Sequence, residues 1–327
     1  MIRTINCFLF ALLITVAGIS PATCQEKSRH FEFGYAASVS DLAPGSLAKV
    51  WFPIPSNDAF QDVEIATMKI PSVLHINVGH QFGNQIGFFE AKVPQSGQIA
   101  FSMQYKVDRR EAGNDNQSID DATRQRFLAA NRMVPTDGKP TELIQNSKLD
   151  ADPMKLGGQL YEIVEQYMAY DKSQPGYGNG DVLWACSSKT GNCTDFHSLF
   201  ISLARNQGLP ARFEIGFPLP DSTKQGTVKG YHCWAWFHTK SAWVPVDISE
   251  ADKHPELKDY YFGKLTPDRI AFSTGRDIEL FPKSAAKKLN YFVYPHIEID
   301  GKEIEKSQMK PEFSFADITP KEKTAVK

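Results

Sequence analysis

Alternation with a period of two dominates the first third of the chain. Phe31, Phe33 and Tyr35 alternate with polar or small residues, and Ile99, Phe101, Met103, Tyr105 and Val107 alternate with Ala100, Ser102, Gln104 and Lys106. Such runs, separated by clusters of Gly, Pro, Asn and Ser, predict half-buried strands, and several at short spacing predict a β-sandwich over residues 25–108. After His30, its histidines His75 and His80 read as surface groups. The polar stretch RREAGNDNQSID, residues 109–120, predicts a linker, with connecting chain to about residue 150.

The period then becomes helical. Leu156, Leu160, Ile163, Val164 and Tyr167 share one face of a helix that begins just after Asp152-Pro153, a capping residue followed by a first-turn proline. A glycine-rich loop spans Pro175 to Gly180. The spacing predicts a second helix from Cys193 to Asn206, burying Phe196, Leu199, Phe200 and Leu203 and stopping at Gly208. Strand signals follow at Phe213–Phe217, Tyr231–Phe237, Ala242–Val246 and Leu289–Tyr294. Helices followed by antiparallel strands predict an α+β domain over 151–300, and the Lys- and Glu-rich residues 301–327 predict a loosely held, charged C-terminal tail.

Composition sharpens this picture in two places. The chain has 327 residues, enough for two domains, and a formal net charge of −2, so it carries no basic footprint for nucleic acid. Residues 1–24, MIRTINCFLFALLITVAGISPATC, hold one basic residue and then an apolar run from Cys7 to Ile19 that is too short to span a bilayer. With Ala22 and Cys24 as small residues at the cleavage positions, this predicts a signal peptide and a mature chain starting at Gln25. Lipidation of Cys24 is disfavoured, because Pro21 and Thr23 stand where a lipobox takes Leu and a small residue. The predicted location is therefore periplasmic or secreted, with no transmembrane anchor, in an oxidising compartment.

Three segments carry candidate chemistry: GNCTDF at 191–196, YHCWAWF at 231–237 and WVPVDIS at 243–249. Cys193 opens the second helix, where unpaired N–H groups and the helix dipole favour a thiolate, the nucleophilic form of cysteine. Its own N–H is an oxyanion donor. A hairpin closing around Thr239-Lys240 would pair 237 with 242 and bring His232 opposite Asp247, giving nucleophile, base and orienting acid. The same alternation puts Trp234 and Trp236 on the His232 face and Cys233, Ala235 and Phe237 on the other. His197 reads as a packing or surface residue and Asp195 as a first-turn carboxylate favoured by the dipole. Zinc held by Cys193, His197, Cys233 and His238 is disfavoured by the ligand spacing, and neither a metal nor another cofactor is expected.

These segments, with FGKLTPDRIAFSTGRDIEL after them, resemble the core of the transglutaminase-like superfamily as found in secreted bacterial proteins. The resemblance runs from about Tyr161 to Pro295. It implies a papain-like fold in which Cys193 is the nucleophile, His232 the base and Asp247 the orienting acid. It implies thiol-dependent acyl chemistry on a protein or peptide substrate: an amide or ester carbonyl is attacked, a thioester forms, and an amine or water captures it. Animal members hold the oxyanion partly with a tryptophan N–H, and Trp184 is the nearest candidate here, the alternative being that it anchors the loop before the helix. No calcium loop of the D-x-D-x-D-G type is present.

The rival reading is a non-catalytic binding or scaffold module that kept the fold. Removal of residues 1–24 leaves three cysteines, Cys186, Cys193 and Cys233. A Cys186–Cys233 disulfide would leave Cys193 as the one free thiol. Asn192-Cys193-Thr194 is formally a glycosylation sequon, and a glycan there would block the thiol, which favours a bacterial periplasm.

Overall fold

The computed structural model describes residues 27–286 and 288–319; the predicted signal peptide lies outside them. The alternating N-terminal segment forms β1 (Ser28–Val39), β2 (Leu47–Ile54), β3 (Gln61–Lys69), β4 (His75–Val78), β5 (Gln85–Lys92) and β6 (Ile99–Arg110). Phe31, Phe33, Tyr35 and Val39 of β1 and Ile99, Phe101, Met103 and Tyr105 of β6 are buried, while the residues between them are mostly half-exposed. The period-two pattern is thus the inner face of a sheet.

The helical segment gives α1 (Asp121–Leu128), α2 (Pro153–Tyr167), the two-residue β7 (Ala169–Tyr170), α3 (Val182–Ser188), a matching β8 (Thr190–Gly191) and α4 (Cys193–Asn206). Asp152 caps α2, accepting from the Met154 and Lys155 N–H groups at 3.1 and 3.0 Å. After α4 come β9 (Ala211–Pro218), β10 (Gln225–Thr227), β11 (His232–His238), β12 (Trp243–Val246), α5 (Ile248–Lys253), α6 (Lys258–Tyr261), β13 (Arg269–Thr274), β14 (His296–Ile299), β15 (Lys302–Glu303) and β16 (Met309–Asp317).

Two five-stranded sheets, ordered β10-β16-β1-β6-β3 and β15-β14-β2-β5-β4, make the sandwich, and a four-stranded antiparallel sheet, β12-β11-β9-β13, makes the centre of the second unit. The two units share one apolar core: Phe33 lies 5.3 Å from Phe217 of β9, and Phe217 lies 4.2 Å from Phe313 of β16. α4 packs on one face of the central sheet, with Phe200 6.0 Å from Phe237. Trp234, Trp236 and Trp243 bury against Phe60, Phe127 and Leu265 on the other. The two sides of β11 therefore face two different cores, as the alternation predicts.

Four expectations are corrected. The residues after 300 are not a loose tail up to Asp317: β16 pairs with β1 over nine positions, from Phe31↔Asp317 to Val39↔Met309, and completes the sandwich. Phe313 and Phe315 are buried while Lys310, Glu312 and Ser314 point out, so this is a period-two strand with Lys310 and Glu312 on its solvent side. Residues 109–150 are not a simple linker, because Asp115 bridges to Trp243, Ala112 bridges to Leu265, and α1 packs on the core through Phe127. The strand expected at Leu289–Tyr294 is irregular chain, and the strand forms later, at His296–Ile299. Finally, the β11–β12 hairpin pairs 237 with 244 and 235 with 246, two residues away from the expected register. The Thr239 N–H and hydroxyl both bond the Ala242 carbonyl, at 2.8 and 3.1 Å, and close a longer loop.

Gly216 of β9 lies across from His232, squeezed by β13. A Cβ there would stand 1.8 Å from the Ile270 carbonyl oxygen, so the close approach of β13 beside the site requires glycine.

Candidate active site

α4 delivers the thiol. Asn192 caps it, its side-chain oxygen accepting the Thr194 N–H at 2.8 Å, and the carboxylate of Asp195 accepts the Asn192 N–H at 2.9 Å, completing a capping box. Cys193 is therefore the first helical residue, and its N–H has no acceptor within the helix. The side chain is 3% exposed.

His232 opens β11 beside Cys193. Its Nε2 stands 2.7 Å from Oδ2 of Asp247, which leaves Nδ1 for the thiol. Asp247 reaches the imidazole as the N-cap of α5, not as a cross-strand partner: its Oδ1 accepts from the Glu250 N–H and the Ser249 hydroxyl, both at 3.2 Å. Oδ2 also accepts from Nη1 of Arg269 at 2.9 Å, and the Arg269 guanidinium lies 4.9 Å from the Trp234 ring.

Electrostatics follow from this geometry. Burial works against charge on His232, but the Asp247 carboxylate and the Cys193 sulfur outweigh it and push the imidazole up to about 10. Burial alone would raise Asp247, and His232 with Arg269 holds it well below the ordinary carboxylate value. Burial likewise opposes a thiolate at Cys193, yet the neighbouring Cys233 thiol and His232 imidazole hold it well below the ordinary thiol value. These shifts favour a thiolate at Cys193 beside an imidazolium at His232, with the Asp247 carboxylate behind it.

Other buried groups, not predicted for these roles, fix the parts. His197 is fully buried, and burial lowers its pKa to about 4, so it is neutral. Its Nε2 accepts the Ile248 N–H at 3.0 Å, tying α4 to the start of α5, where Asp247 sits. Asp195 does more than favour the dipole: it also accepts the Gly178 and Gly180 N–H groups at 2.7 and 2.9 Å and so pins the glycine-rich loop against the thiol. Arg276 holds the same loop through the Asn179 and Gly180 carbonyls, at 2.9 and 3.3 Å. The Tyr231 hydroxyl lies 2.9 Å from that of Thr194, and its ring is 5.5 and 6.0 Å from those of Tyr291 and Tyr294, forming an aromatic wall next to Cys193. The Asp247-x-x-Glu250 spacing is a helix-start signature that could have exposed the capping role of Asp247. Nothing in the local pattern marks Arg269 or Arg276.

The remaining site expectations fare differently. Cys186, Cys193 and Cys233 are all free and buried, so the Cys186–Cys233 disulfide is absent. Cys186 sits on α3, with its carbonyl accepting the Tyr167 hydroxyl, whereas Cys233 lies against Thr194 and His197, its sulfur 3.7 and 3.8 Å from Oγ1 and Nδ1. His238 stands at the far end of β11, bonded to the Gln117 carbonyl at 2.8 Å, away from the other imagined zinc ligands. Trp184 donates its indole N–H to the Pro175 carbonyl at 3.1 Å and anchors the loop. Trp184→Phe should lower stability by about 1 kcal/mol in chemical denaturation and leave alkylation of Cys193 within about twofold; a tenfold fall in alkylation would return the indole to the site.

With this geometry in place, comparison with known proteins shows what the chain is similar to. Residues 142–248, which include Cys193, His232 and Asp247, match the model of the transglutaminase-like superfamily. An uncharacterized protein of Haemophilus influenzae is 29% identical over 211 residues, covering 54% of this chain, and the chain spans 57% of that relative's length. A solved structure of a proposed cysteine protease from Cytophaga hutchinsonii shares the fold, with a TM-score of 0.59, 15% identity and coverage of 90% of this chain and 92% of that one. The periplasmic domain of TgpA from Pseudomonas aeruginosa aligns with a TM-score of 0.37 and 15% identity over 70% of this chain and 90% of its own. No helix among the described residues is long and apolar enough to cross a membrane.

Proposed function

We propose that the protein is an extracytoplasmic thiol enzyme that transfers or hydrolyses the acyl group of a protein or peptide amide. The observation that carries this reading is the buried Cys193–His232–Asp247 arrangement at the N-terminus of α4. The extracytoplasmic placement rests on the signal-like sequence of residues 1–24.

In the proposed reaction the Cys193 thiolate attacks the amide carbonyl carbon, and the Cys193 N–H, supported by the helix dipole, faces the oxyanion that develops. His232 donates its Nδ1 proton to the leaving nitrogen as the C–N bond breaks, the amine departs, and a thioester remains. Neutral His232 then takes a proton from an incoming amine or water, which attacks the thioester and releases the thiolate. Asp247 holds the imidazole orientation throughout and stabilises its charged form.

Two measurements test this. Iodoacetamide at about pH 6 should alkylate Cys193 far faster than a free peptide cysteine, because an ordinary thiol with a pKa near 8.5 is almost wholly protonated there; parity with the free peptide would sink the enzyme reading in favour of a scaffold. Incubation with a glutamine-containing peptide and a fluorescent amine, followed by mass spectrometry, should give either the amine-linked product or the free acid, and neither with Cys193→Ala.

A further inference from the structure

The Cys233 thiol has no role in the acyl chemistry, yet it packs against the first turn of α4, which Cys193 opens. It is fully buried, and the groups around its sulfur are Cys193, Thr194 Oγ1 at 3.7 Å and His197 Nδ1 at 3.8 Å. Cys233 therefore has no route of its own to a dissolved reagent. Cys193, 3% exposed, is the thiol that favours the thiolate form.

We propose that Cys193 and Cys233 form a peroxide-oxidisable dithiol, in which Cys193 is the attacking thiol and Cys233 the resolving one. The Cys193 thiolate attacks one oxygen of a hydroperoxide, the O–O bond breaks, and an alcohol or water leaves as Cys193 becomes a sulfenic acid. Cys233 then attacks the Cys193 sulfur as its S–H proton passes to the departing oxygen, releasing water and closing a disulfide. Two thiols are oxidised by two electrons and one peroxide is reduced.

Three features favour this fate over deeper oxidation. Cys233 Sγ lies against the first turn of α4, which Cys193 opens, so the two sulfurs can close to about 2.05 Å through side-chain rotation at the first residue of α4 and the second of β11. Burial raises the Cys233 thiol, so it stays protonated and inert until the neighbouring sulfur becomes electrophilic. Cys186, the remaining thiol, is placed on α3 and pushed up to about 11, chiefly by burial, so it does not compete. The disulfide would silence acyl transfer and be reversed by a dithiol reductant, which is a cap on the nucleophile suited to an oxidising compartment.

The inference rests on the same reactive Cys193 as the acyl-transfer reading, and the test separates the two. The purified protein is treated with stoichiometric hydrogen peroxide and analysed by intact mass and non-reducing peptide mapping. Wild type should lose two hydrogens, show a 193–233 linkage and recover iodoacetamide reactivity after dithiothreitol. Cys186→Ala should behave the same. Cys233→Ala should instead gain oxygen atoms and lose Cys193 irreversibly at least about tenfold faster than wild type. Rapid alkylation of Cys193 with no 193–233 linkage overturns the dithiol and leaves the acyl reading intact. Slow alkylation removes the acyl reading as well. Oxygen addition at equal rates in wild type and Cys233→Ala, or a linkage to Cys186, also overturns the inference.

Discussion

Asp247→Asn should cut alkylation of Cys193 at about pH 6 by more than tenfold and turnover on an amide substrate by on the order of 10³. In wild type the carboxylate is what outweighs burial and holds His232 charged up to about 10. Without that charge the imidazole falls back toward its ordinary value of about 6.5 or lower, since burial still opposes the cation. The thiolate then loses its counter-ion, and its pH–rate limb moves up toward that of an ordinary thiol. Asparagine keeps the shape, but with its oxygen in the Oδ2 place for His232 and Arg269 its NH2 faces the Glu250 N–H that Oδ1 accepts in wild type, and the negative charge is gone.

Stability should change with a pH signature of its own. His232 has a raised pKa in the fold, so its contribution is complete below about 6.5 and is lost as pH climbs through about 10. Asp247 has a depressed pKa, so its contribution is complete above about 3.9 and is lost only as pH falls through its low folded value. The deficit of Asp247→Asn should therefore be largest between about pH 4 and 6.5, on the order of 2–4 kcal/mol, and shrink toward pH 10. Urea titrations across that range check it, and a deficit independent of pH would mean the carboxylate is a packing group and not the partner of an imidazolium.

The chemistry of the site was more legible in the sequence than its support. Cys193 announces itself because the cap, Asn192, and the apolar stripe of α4 are local features, as is the alternation that sends Trp234 and Cys233 to opposite faces. The partnership of His232 and Asp247 was inferred through the wrong device. The hairpin loop at Thr239–Ala242 is longer than a two-residue turn, so the two residues are not opposed across strands, and the carboxylate arrives through a helix cap instead. Arg269, Arg276 and Tyr231 reach the site from segments whose spacing says nothing about where the chain folds back. The same limit hid β16: its Lys and Glu content suggested a tail, while the alternating Phe313 and Phe315 needed β1 beside them to have a meaning. The Cys186–Cys233 pairing failed for a related reason, because counting thiols gives no distance between α3 and β11.

Asp195→Ala should be the most damaging single change outside the reacting trio. The side chain is fully buried and satisfies three backbone N–H groups, those of Gly178, Gly180 and Asn192, at 2.7, 2.9 and 2.9 Å. Each orphaned buried donor costs about 1–3 kcal/mol, so the expected loss is about 3–6 kcal/mol. The loop cannot adapt easily: Gly178 and Gly180 hold φ of 82° and 60°, and a Cβ on Gly180 would meet the Ser198 hydroxyl at 2.4 Å. Once released, the loop frees the Gly178 carbonyl from the Tyr231 hydroxyl, and Asn192 loses half of its capping box, so the first turn of α4 frays where Cys193 sits. Alkylation of Cys193 should then slow toward the rate of an ordinary thiol even at temperatures where the rest of the fold persists, and hydrogen exchange at residues 176–180 and 192–194 should accelerate before that of β9 or β11. Asp195→Asn should recover part of the stability, since it keeps one acceptor oxygen but turns the other into a donor facing an N–H. Wild-type exchange at residues 176–180 in Asp195→Ala would show that Arg276 alone holds the loop.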